Sequence, residues 1–110
     1  MKDKTTTIAE LKSYIQDFSA KRGWCGQENA KNLAMALTVE AAELSEIFMW
    51  LHSDEADSVK NNIETYQHLQ DELADILWYV CRIACHFDVD LATAVVKKGI
   101  KNAAKYPVLP

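Results

Sequence analysis

Four carboxylates stand out by their spacing. Glu40 and Glu43 lie three residues apart, 28 residues intervene, and Glu72 and Asp75 repeat the interval. In a helix such a pair shares one flank, where like charges repel. A carboxylate partly withdrawn from water also loses hydration worth several kcal/mol. The grouping therefore calls for cations. Residues 40–90 hold 12 Asp and Glu against Lys60 and Arg82 alone, so a divalent metal is the simpler neutraliser. Ligands that are all carboxylate oxygens suit Mg²⁺, with Mn²⁺ as a substitute. Magnesium keeps coordination positions open for water and phosphate oxygens, so a phosphorylated substrate is expected, although the chain has no glycine-rich phosphate loop. Di-iron bundles use Glu-x-x-His. The residues three after Glu40 and Glu72 are Glu43 and Asp75, which disfavours iron.

Helices must position these groups. Only three Gly and two Pro occur, both prolines within the last four residues, and few breakers favour helix over sheet. Periodicity predicts an all-α, four-helix bundle-type domain with helices near 8–21, 30–52, 58–87 and 90–105, with Asn61-Asn62 a candidate break in the third. On the second helix Leu33, Leu37, Leu44, Ile47, Phe48 and Leu51 form an apolar stripe that contains Glu40, with Glu43 at its edge and Glu46 further round. On the third, Leu69, Leu73, Ile76, Leu77, Val80, Ile83 and Phe87 form the stripe, with Glu72 at its margin and Asp75 one step beyond.

A chain of 110 residues makes one domain, 1–110, small enough that a second copy could complete a pocket. Net charge is −4, yet residues 40–90 carry −10 and the flanks +6. An acidic middle argues against a nucleic-acid surface; no membrane span or signal peptide is read. Cys25, Cys81 and Cys85 form no framework and suit a reducing cytoplasm. Cys81, Cys85 and His86 lack a fourth zinc ligand, so core cysteine is the better reading. A non-catalytic helical module with an acidic face is the rival from another class. It explains the charge but not carboxylates inside apolar stripes.

Glu40-Ala-Ala-Glu43 and Glu72-Leu-Ala-Asp75 at this spacing resemble the ExxE…ExxD signature of the MazG-like all-α nucleoside triphosphate pyrophosphohydrolases. The likeness extends to Trp24, Lys31-Asn32-Leu33-Ala34, Glu43 through Trp50, and the tail from Lys101 to Pro107, most like the dCTP pyrophosphatase branch. It implies hydrolysis of a (deoxy)nucleoside triphosphate to monophosphate and pyrophosphate, with house-cleaning of surplus or non-standard nucleotides. Water attack at the α-phosphorus, Glu40, Glu43, Glu72 and Asp75 as metal ligands, and a homo-oligomer (dimer or tetramer) are implied as well. Phosphoribosyl-ATP pyrophosphohydrolase is a related alternative. Trp24 and Trp50 become candidates to stack on a base, where the residues alone favour core. Lys31, Asn32, Lys101 and Asn102 become phosphate or sugar contacts; for Lys101 a solvated lysine is an even alternative. The branch often carries histidine in the loop where this chain has Gln27-Glu28, which bears on base preference.

Overall fold

The structure, a computed structural model, describes residues 1–26 and 28–110; Gln27 lies outside the described residues. Helix α1 (Ile8–Lys21) starts with a capping box. Thr7 Oγ1 accepts from the Glu10 N–H at 3.1 Å, and Glu10 Oε1 accepts from the Thr7 N–H at 3.3 Å. It stops at Gly23, whose φ of 71° suits a residue without Cβ. Helix α2 (Ala30–Phe48) is capped by Asn29 and helix α4 (Ile63–His86) by Asn62. Between them lie a single-turn helix, α3 (Ser53–Ala56), and a 3₁₀ turn, Val59–Asn61. Helix α5 (Leu91–Lys105) is capped by Asp90, whose Oδ1 accepts from the Thr93 N–H at 2.8 Å. That bond holds the Asp90 carboxyl below its ordinary range.

The all-α reading is sound, with two boundaries to correct. The second helix ends at Phe48 rather than His52, where the Leu51 N–H turns back to the Phe48 carbonyl. The long third helix starts at Ile63 rather than near Ser58, because the Asn62 side chain caps there.

Helices α2 and α4 lie along one another and α1 packs on α4. Ile15, Leu33, Cys81 and Ala84 are buried at these contacts. Trp78 meets Phe18 and Tyr14 edge-on, with ring centroids 5.2 and 6.2 Å away. The burial on α4 departs from the expected stripe. Glu72 is 6% exposed, whereas Leu73, Leu77 and Phe87 are 50%, 46% and 59% exposed. The carboxylate therefore sits inside the packed face, and the leucines face outward.

Every α5 residue after Leu91 is exposed, and α5 does not lie along another helix of the chain. The consequences show in size. The Cα radius of gyration is 16.8 Å, where a compact chain of this length has about 13 Å. The accessible surface is 8761 Å², where a folded monomer of this mass has about 6,100 Å². Among the described residues no helix is long and apolar enough to cross a membrane.

Candidate metal centre

The packing of α2 on α4 brings three of the four signature carboxylates together. Glu40, Glu43 and Glu72 each present an oxygen, and these oxygens lie within 4.8 Å of one another. Glu72 is buried and the other two are half-buried. Glu40 Oε2 and Glu72 Oε2 are shut off from solvent and have no hydrogen-bond partner. A buried carboxylate oxygen without a donor is costly, and three such groups side by side fit a hard divalent cation. Asp75 is exposed and outside this triple, but its charge reaches Glu40. Burial, the Glu72 carboxyl beside it, and the charges of Asp75 and Glu43 push the Glu40 carboxyl up to about 7.

That shift has a sign that can be measured. Glu40 binds its proton more tightly in the folded than in the unfolded chain, so its favourable contribution is complete below about 4.5 and lost as pH rises through about 7. The metal-free protein is expected to lose on the order of 2 kcal/mol across that window, once solvent screening is allowed for. Urea midpoints measured from pH 5 to 8 in chelator check this. A midpoint that is flat or rises would contradict it, and millimolar Mg²⁺ should restore the loss at the alkaline end.

The structure places the other expected contacts as follows. Trp24 is 39% exposed in the loop after α1, its ring 5.8 Å from that of Phe18. Lys31 and Asn32 are exposed in the first turn of α2, and Trp50, just beyond its end, is 88% exposed. Lys101 and Asn102 are exposed on α5. One chain gathers three of the four carboxylates, but α5 does not lie along α2 or α4 to bring Lys101 and Asn102 to them.

His68 and Arg82, near the centre, were not singled out as site residues by the sequence. His68 Nε2 lies 3.3 Å from Glu72 Oε1, one helical turn before it. Arg82, buried on α4, pairs at 2.6 Å with Glu28 rather than with the cluster. On Tyr79, burial first and then the charges of Glu28 and Glu40 push the hydroxyl up. Arg82 carried a usable signal, since it is a lone cation in the apolar run from Val80 to Ala84, ten residues after Glu72.

Residues 35–110 match the MazG-like family. The chain belongs to that family. This MazG-like chain is 33% identical to the dCTP pyrophosphatase 1 of Rattus norvegicus over 93% of its own length and 60% of the relative's. With the human dCTP pyrophosphatase 1 it shares 33% identity over 92% and 59%. It therefore spans about 60% of the length of these curated relatives. A solved pyrophosphatase from Archaeoglobus fulgidus DSM 4304 superimposes with a TM-score of 0.83 at 32% identity, covering 92% of this chain and 93% of that one.

Proposed function

We propose that the protein hydrolyses (deoxy)nucleoside triphosphates to the monophosphate and pyrophosphate, with Mg²⁺ held by Glu40, Glu43, Glu72 and Asp75. A house-cleaning role with dCTP-like substrates is the preferred reading. The observation that carries it is the pair of buried, unpartnered oxygens of Glu40 and Glu72 beside Glu43. The MazG-like family and its pyrophosphatase relatives support the reaction class. Bound magnesium would supply charge to the phosphates and acidify a water. The chain's own groups do the rest. A carboxylate of the set accepts the proton of the attacking water. Trp24 stacks on the base, and Lys31 and Asn32 meet the sugar and phosphates.

The active unit in this proposal is a homo-oligomer. A second copy covers the exposed apolar faces and brings Trp50, Lys101 and Asn102 to the nucleotide, which one chain leaves unassembled.

The test is product analysis over a nucleotide panel that includes phosphoribosyl-ATP, with Mg²⁺ and with chelator. Stoichiometric monophosphate and pyrophosphate, abolished by chelator, is the expected result. Diphosphate with orthophosphate, or no turnover of any nucleotide, would overturn the reading.

A further inference from the structure

Arg82 is an unusual residue for its place. Its side chain is 5% exposed, and its charge partner is Glu28, 54 positions earlier in the loop between α1 and α2. Replacing a buried ion pair by apolar residues of similar size is often neutral or stabilising, so such a pair is weak evidence for a stability role. A pair of this kind does fix an orientation.

The orientation is specific. Glu28 Oε2 is enclosed and faces Arg82 Nη1, held by charge because the contact is not aligned as a hydrogen bond. The Glu28 side chain is nonetheless 31% exposed, so the open side of its carboxylate is at Oε1. Beside the pair a cavity of about 40 Å³, lined by Gln16, Cys25, Leu33 and His86, has room for a water to meet the remaining guanidinium N–H groups. Glu28 follows Trp24 by four residues on the same loop, and Glu28 and Glu40 both act on the Tyr79 hydroxyl. Through Arg82, on the helix that carries Glu72, Glu28 ties the loop of Trp24 to the helix of the metal centre.

We propose that Arg82 positions Glu28 so that its open oxygen accepts a hydrogen bond from the base, selecting nucleotides whose base presents an exocyclic amino group over those presenting a carbonyl at that edge. The inference rests on the nucleotide-hydrolysis reading above. A carboxylate accepts from the N4 amino group of cytosine. Against the O4 carbonyl of uracil it meets a second acceptor, and a desolvated carboxylate left unpaired weakens binding. Glu28 is then a specificity residue and Arg82 a positioning residue.

The experiment compares kcat/KM for dCTP and dUTP with Mg²⁺. The native chain is expected to favour dCTP by about 10- to 100-fold, the range for a hydrogen bond to a charged group. Glu28→Gln, whose amide can both donate and accept, is expected to bring the two within about threefold. Arg82→Lys should raise KM for dCTP more than it lowers kcat. If Glu28→Gln does not fold, the double variant Glu28→Leu, Arg82→Met replaces the whole pair by apolar groups and should fold with the preference lost. A native ratio near one, or variants that slow both nucleotides equally and keep the ratio, would overturn the proposal, since a purely structural role moves both alike. Failure of the broader reading looks different: no pyrophosphate from any nucleotide, which would end both.

Discussion

Glu43→Gln is expected to lower kcat by about a thousandfold, a loss comparable to removing a principal electrostatic group from an active site. The metal-free chain should at the same time keep its thermal midpoint or gain a few degrees. The two effects have one cause. Glu43 lends an oxygen to a cluster within 4.8 Å and helps to push the Glu40 carboxyl up. Its charge therefore opposes folding when no cation is present and becomes useful only when one is. An amide keeps the shape, removes the repulsion and binds magnesium poorly. The control is Glu46→Gln, exposed on the same helix, which should stay within about twofold in rate because surface substitutions seldom reach the site. Steady-state rates and thermal melts in chelator check both halves. Near-normal turnover by Glu43→Gln would remove Glu43 from the centre.

What the sequence made legible follows from range. The helical stretches show as local periodicity, and the paired carboxylates are a local helical spacing. Both can be read without the fold. The face of α4 was misjudged because periodicity ranks hydrophobicity and cannot tell which apolar flank meets α2. Leu73 and Leu77 look like core, yet Glu72 takes that place. The Glu28–Arg82 pair escaped for a different reason: it joins a loop to a helix far along the chain, and no periodic signal links them. His68 is a local neighbour of Glu72, but an exposed histidine one turn away has no distinguishing pattern.

Val96→Asp with Ile100→Asp on α5 is expected to give a species of about 12 kDa that retains its helices and loses about a hundredfold or more in kcat/KM, as misplacement of substrate-positioning groups can. The reason lies in surface that one chain cannot cover. Its accessible area exceeds that of a folded monomer of equal mass by about 2,600 Å², more than the roughly 800 Å² that each partner buries in a standard interface. Val95, Val96 and Ile100 are each 65–69% exposed, along a helix whose residues after Leu91 are all exposed. Patches of this kind mark association. Charge favours a second copy as the occupant. Residues 91–105 carry four lysines and no acid, while residues 40–90 carry −10, so α5 of one copy complements the acidic middle of another. Lys101 and Asn102 would then approach carboxylates that their own chain keeps apart from them. Sedimentation velocity at assay concentration, paired with rates, decides the matter. A fully active native species of about 12 kDa, or a monomeric double variant with unchanged rate, would show that one chain builds its own pocket.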